Sequence, residues 1–177
     1  MSESTPTATE KHPPGRFADW QINLGLVVGF FIIDHATKWW ATVTLRTPPK
    51  EFVERVIAVI PGFLNFRYAE NTGAAFSIMD GKVEILAWVS LFASIFIAWW
   101  WYTIPAAEKQ ARYALALIFS GAVGNLIDRF ARGFVVDFID AYIGQRHWPT
   151  FNIADSCICI GAVILAWRLF KSPYLKD

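Results

Sequence analysis

Residues 20–43 read WQINLGLVVGFFIIDHATKWWATV, and the fold turns on how this stretch is read. It is apolar apart from a few positions and long enough to cross a hydrocarbon core of about 30 Å as a helix of about 20 residues. Three further runs resemble it. Residues 83–104 hold one acid near their start and end in Trp99, Trp100, Trp101 and Tyr102, a cluster suited to a membrane interface. Residues 111–129 and 151–170 are as apolar apart from a few polar positions. The sequence therefore predicts an all-α membrane protein with four transmembrane helices over about 20–43, 83–104, 111–129 and 151–170.

Composition points the same way. Of 177 residues, 55% are hydrophobic and 18% charged, whereas a soluble domain carries about 25% charged residues. With 16 Lys and Arg against 15 Asp and Glu, the chain lacks the basic excess that nucleic-acid binding needs, so no nucleic-acid partner is expected. The two cysteines, Cys157 and Cys159, fall on nearly opposite sides of a helix and are read as small apolar fillers.

Outside the spans, residues 1–19 are rich in Ser, Thr and Pro and read as a disordered tail, with residues 171–177 as a second tail. Between the first two spans, Gly62-Phe63-Leu64-Asn65-Phe66-Arg67-Tyr68 alternates as a strand does, which predicts a small extramembrane β element within 44–81. The connection 130–150 is partly apolar and is expected to lie at the membrane surface. Lys and Arg residues divide evenly between the two sides, so the charge rule leaves the orientation open.

Charged groups at membrane depth cost roughly 3 kcal/mol or more each, so each calls for a partner or a purpose. Asp34 and Lys38 stand at i, i+4 with the acid first, the favourable order for a helical pair. A structural ion pair is the preferred reading of these two. Asn125, Asp128 and Arg129 share a helix face, and Asp128 beside Arg129 suggests a local pair. Asn152 and Asp155 open the fourth span one turn apart, where free amides and the helix dipole favour an acid.

Asp137 lies between Val136 and Phe138 with no cation beside it, so burial is expected to raise its pKa and ready it for proton exchange. Two such carboxyls brought together give a base to activate water and an acid to protonate a leaving amine. His12, His35 and His147 form no ligand spacing, and no serine stands in a nucleophile motif, so neither metal nor cofactor is expected. Asn71-Thr72-Gly73-Ala74-Ala75-Phe76 combines a turn signal with small residues. Residue chemistry alone does not separate an enzyme from a small proton- or ion-conducting protein that uses intramembrane Asp residues, or from a structural scaffold.

Four blocks taken together resemble the bacterial lipoprotein signal peptidases (signal peptidase II). These are Asp34 with Lys38; Asn71 to Phe76; Gly124-Asn125-Leu126-Ile127-Asp128-Arg129 with Val135-Val136-Asp137-Phe138; and Phe151-Asn152-Ile153-Ala154-Asp155-Ser156. The resemblance runs from about residue 20 to residue 170. It implies a multi-pass protease of the bacterial inner membrane with both termini cytoplasmic, a β cradle between helices 1 and 2, and an active site toward the periplasm. It implies a catalytic pair, Asp137 and Asp155, with Asn71, Gly73, Asn125, Asp128, Arg129 and Asn152 binding or supporting. Asp128 is the rival for a place in the pair, and its neighbour Arg129 argues for a structural role. The implied substrate is a prolipoprotein whose lipobox Cys carries diacylglycerol, cut on the N-terminal side of that Cys. Membrane lipid is the other expected partner, and a monomer is expected.

Overall fold

The computed structural model describes residues 16–48, 53–73 and 81–171. Most of the expected N-terminal tail, the last six residues, and Ala74, Ala75 and Phe76 of the small-residue motif lie outside the described residues.

Four helices form in chain order, α1 (Arg16–Thr44), α2 (Val83–Thr103), α3 (Lys109–Arg132) and α4 (Ile153–Phe170). Their positions follow the predicted spans to within a few residues at each end. α1 begins at Arg16 where Trp20 was expected, and α3 runs on to Arg132, where the left-handed Gly133 (φ 75°) ends it. Among the described residues, α2, α3 and α4 are long and apolar enough to cross a membrane. α1 has the length, but Asp34, His35 and Lys38 interrupt its apolar run.

The bundle is built inside out relative to a soluble protein. Ile22, Leu24, Val28, Ile32 and Trp39 of α1, and Trp88, Phe92, Ile95 and Trp99 of α2, are exposed, while Asp34, Lys38, Ser120, Asn125 and Asp128 are buried. α3 is the central helix and touches the other three. Small residues allow it to come close. A side chain at Gly121 would collide with the Ala154 carbonyl, and one at Gly124 would stand 2.7 Å from Asp34 Oδ2. Helix association in lipid relies on such close approach.

The strand element was expected between α1 and α2 alone, and the structure corrects this. β1 (Val56–Ile60) and β2 (Leu64–Asn71) do come from that segment, but β3 (Val135–Ile143) and β4 (Arg146–His147) come from the connection between α3 and α4. The four make one antiparallel sheet in the order β1-β2-β3-β4. Val135, Val136, Asp137 and Phe138 of β3 are all buried. A strand covered on both faces has no apolar/polar alternation to betray it. Val136 and Phe138 pack with Ala41 of α1 and Leu45 just after it, and Trp40 lies 5.5 Å from Phe66 and 6.3 Å from Phe138, centroid to centroid. The sheet is thereby fixed to the end of α1, and β3 is set beside the start of α4.

Candidate active site

Asp137 lies on β3 and Asp155 in the first turn of α4, and Asn152 links them. As the cap of α4, Asn152 accepts the Asp155 amide on its side-chain oxygen at 2.9 Å. Its own backbone N–H donates to Asp155 Oδ2 at 3.1 Å, closing a reciprocal capping box. Its side-chain nitrogen donates to Asp137 Oδ1 at 2.8 Å and lies 3.3 Å from the Val136 carbonyl. One residue thus bonds both a strand carboxylate and a helix carboxylate.

The remaining oxygens are also held by amides. Asn71 on β2 donates to Asp137 Oδ2 at 2.9 Å, and Asn125 on α3 donates to Asp155 Oδ1 at 2.8 Å. Asn125 Oδ1 accepts from Lys38 Nζ at 3.0 Å and from Asn152 at 3.2 Å. Burial pushes the Asp137 carboxyl up to about 7, and the Asp155 charge acts in the same direction; the amides of Asn71 and Asn152 and the charge of Lys38 oppose the rise.

The expected Asp34–Lys38 pair is present at 2.8 Å, but it is part of a larger cluster. Lys38 is fully buried and its ammonium also meets Asp128 at 3.0 Å. Asp34 accepts the Ala154 amide at 2.9 Å, which ties α1 to the first turn of α4. The expected pairing of Asp128 with Arg129 does not form. Asp128 instead pairs with Lys38 and, at 3.2 Å, with Arg132, and it receives the Val136 N–H at 3.4 Å. Adjacent helical residues point about 100° apart, whereas i and i+4 share a face, so Arg132 is the neighbour in reach. Sequence reasoning overlooked Arg132, and the i, i+4 spacing from Asp128 was the signal for it.

Arg129 turns toward the strands. Its Nη2 donates to the Gly73 carbonyl at 3.2 Å, while the Gly73 N–H donates to Asn71 Oδ1 at 3.0 Å. Gly73 is therefore gripped from both sides beside the carboxyl pair. The structure brings every expected site residue among those described into one cluster, where two carboxyls held mainly by neutral amides meet. Such a pair can share a proton and divide the roles of acid and base. Among the described residues, no group of three His, Cys, Asp or Glu side chains is arranged to hold a metal ion.

Comparison with known proteins shows the family. The chain is 38% identical over 151 residues to a lipoprotein signal peptidase of Alteromonas mediterranea, covering 83% of this chain and 79% of that one. It is 41% identical over 144 residues to a lipoprotein signal peptidase of Trichormus variabilis, covering 81% and 86%. A bacterial membrane enzyme solved by the in meso method at 2.3 Å superposes with a TM-score of 0.76 at 33% identity, over 85% of this chain and 88% of that one. The sequence pattern of the family described as signal peptidase (SPase) II matches residues 26–171, and the chain belongs to that family.

Proposed function

We propose that Asp137 and Asp155 are the catalytic pair with which this aspartic-type peptidase removes the signal peptides of lipoproteins. The observation that carries the reading is the bridge through Asn152, which holds two carboxyls from different elements in one site. In the proposed reaction the ionised carboxyl takes a proton from water as the water oxygen attacks the scissile carbonyl. The protonated carboxyl gives its proton to the carbonyl oxygen. As the C–N bond breaks, the carboxyl that took the water proton returns it to the departing amine, and the other recovers the hydroxyl proton. A carboxyl raised to about 7 is suited to either half of this exchange near neutral pH.

The substrate on this reading is a prolipoprotein with a diacylglyceryl-modified lipobox Cys, cut N-terminal to that Cys. A cavity of about 750 Å³ beside Arg129 supports it, lined by Lys82, Trp88, Phe130 and Gly133 among others. Trp88 and Phe130 meet edge to face at 6.1 Å and offer apolar surface to acyl chains, while Arg129 and Lys82 offer donors to ester oxygens. α1 serves as the fourth membrane span. In support, its charged groups Asp34 and Lys38 are buried against the bundle, and Ile22, Leu24, Val28 and Ile32 face outward. Four crossings place both termini on one side, the cytoplasm, with the sheet and the carboxyl pair toward the periplasm of a bacterial inner membrane. Residues 20–170 then form one peptidase unit that works as a monomer.

The test is purified protein with a diacylglyceryl-modified precursor, comparing wild type with Asp137→Asn and Asp155→Asn. Each variant is expected to bind precursor and not cut it. Turnover near the wild-type rate in either variant overturns the pair.

A further inference from the structure

We propose that Asp140 and His147 form a clasp that positions the carboxyl pair, an inference that rests on the assignment of Asp137 and Asp155 above. Neither residue touches the pair. Asp140 lies three positions beyond Asp137 on the same strand and is buried. An acid there needs compensation, and among the described residues its one short contact is His147 Nδ1 at 2.8 Å. Asn65 reaches it at 3.4 Å and Arg67 at 3.7 Å, and Arg67 in turn lies 3.9 Å from Glu54. Since the carboxylate can only accept, the proton of the contact sits on His147 Nδ1.

His147 is placed for this by the β3–β4 hairpin. It pairs across the hairpin with Tyr142, and its ring stacks on the Tyr142 ring at 5.0 Å and 12°. The Tyr142 hydroxyl is fixed in turn by the Gly62 N–H at 2.9 Å. The clasp therefore closes the turn end of a hairpin whose return arm leads to the second half of the site.

From His147 the chain returns along β3 toward Asn152. The Trp148 N–H bonds the Ala141 carbonyl at 2.8 Å, and Phe151 exchanges bonds with Ile139 at 2.9 and 3.1 Å. Between these lies Pro149, which has no N–H to contribute. Backbone pairing of the return arm thus lapses at Pro149 and resumes at Phe151, directly before Asn152, and the Asp140–His147 contact holds the register of the arm on the turn side of that gap. Asp137 belongs to one arm; Asn152 and Asp155 follow directly from the other. A slip of the return arm displaces Asn152 from Asp137 and opens the pair, and a misplacement of about 1 Å can cost about 100-fold in rate.

His147→Phe keeps a ring to stack on Tyr142 and removes the donor, whereas His147→Asn places an amide N–H close to where Nδ1 stood. The clasp predicts a fall in kcat of about 10- to 100-fold for His147→Phe with KM within about two-fold, and recovery of most of the rate in His147→Asn. Carbon-13 titration of the Asp137 carboxyl is read in parallel, and its midpoint is expected to move in His147→Phe, since the slip changes its exposure, its distance from Asp155 and its bond from Asn152. If His147→Phe fails to fold, Asp140→Asn serves instead. It keeps the oxygen that accepts from His147 and removes the charge, so the clasp predicts a largely retained kcat, and a loss of 10-fold or more overturns it. An unchanged Asp137 midpoint with wild-type kcat in His147→Phe also overturns the clasp while leaving the catalytic pair standing. Turnover in Asp137→Asn or Asp155→Asn sinks the pair, and the Asp137 midpoint still decides whether His147 positions it.

Discussion

The ammonium of Lys38 donates to the side-chain oxygen of Asn125 at 3.0 Å, and this contact decides which way the Asn125 amide points. With its oxygen committed to Lys38 and Asn152, Asn125 can offer only its nitrogen to Asp155. Lys38 therefore does two things at once. It neutralises Asp34 and Asp128 inside the bundle, and through Asn125 it orients one member of the carboxyl pair.

Removing Lys38 should accordingly cost both stability and activity. Lys38→Met leaves Asp34 and Asp128 buried, with Arg132 the remaining cation beside Asp128, and breaking a buried pair in this way typically costs about 3 to 5 kcal/mol. The double variant Asp34→Leu, Lys38→Met should melt at a higher temperature than Lys38→Met, because one orphaned carboxylate is gone. Neither should recover cleavage, since Asn125 has lost its anchor in both. Melting in detergent beside a cleavage assay checks this, and a double variant that cuts at the wild-type rate shows that Lys38 plays no part in orienting the site.

The raised Asp137 carboxyl has a consequence for stability. Its folded value of about 7 lies above the ordinary 3.8, so the protonated form favours the folded state. The contribution is fully present below the unfolded value and is lost as pH rises through the folded one. Asp137→Asn carries no charge at any pH. The Tm difference between variant and wild type should therefore move in the variant's favour between about pH 4 and about pH 8, by the equivalent of on the order of a few kcal/mol. A difference that stays constant across that range is incompatible with a raised Asp137.

What the sequence disclosed and what it withheld follow one division. Asp34 and Lys38 are four residues apart on one helix, and local geometry was enough to pair them. Asn125 is separated from Lys38 by 87 positions, and no periodicity links the two, so the extension of the pair toward Asp155 appears only in the fold. Asp137 stood out because an acid flanked by Val136 and Phe138 has no local excuse. Asp140, three residues later in the same buried strand, carries the same signal, but it drew no notice while residues 130–150 were read as a surface connection. The origin of the Asp140 miss is β3, whose burial on both faces removes the alternation by which β2 was recognised.

Close packing around the site gives a sharper test of the helix arrangement. A methyl group at Gly124 would stand 2.7 Å from Asp34 Oδ2, so Gly124→Ala must push the Asp34 carboxylate away from Lys38 and the Ala154 amide. A loss of about 1 to 3 kcal/mol is expected from overpacking of this kind. At Gly29 on α1 a methyl group meets nothing within 4 Å, and Gly29→Ala should be neutral or stabilising by up to about 1 kcal/mol through helix propensity. Thermal melts of both variants decide the matter, and equal behaviour of the two would contradict the contact between α3 and α1.

Asn71 and Arg129 converge on Gly73, one accepting its N–H and the other donating to its carbonyl. We expect them to differ in function even though they share this target. Asn71 also donates to Asp137 at 2.9 Å, so Asn71→Ala removes a bond that stabilises the ionised carboxyl, and the Asp137 pKa should rise further. The basic limb of the kcat/KM profile follows if Asp137 is the acid, and the acidic limb if it is the base; in either case the limb that belongs to Asp137 moves to higher pH. Arg129 has no such bond to either carboxyl and lines the cavity beside Trp88 and Phe130. Arg129→Gln should weaken precursor binding and raise KM, and because its charge acts on Asp137 and Asp155 alike, its loss should move both limbs of the profile slightly and together to higher pH, where Asn71→Ala moves one. Measuring the two profiles with one precursor separates the roles. A single displaced limb with unchanged KM in Arg129→Gln, together with an unchanged profile and a raised KM in Asn71→Ala, would reverse the assignment and put Asn71 on the substrate side alone.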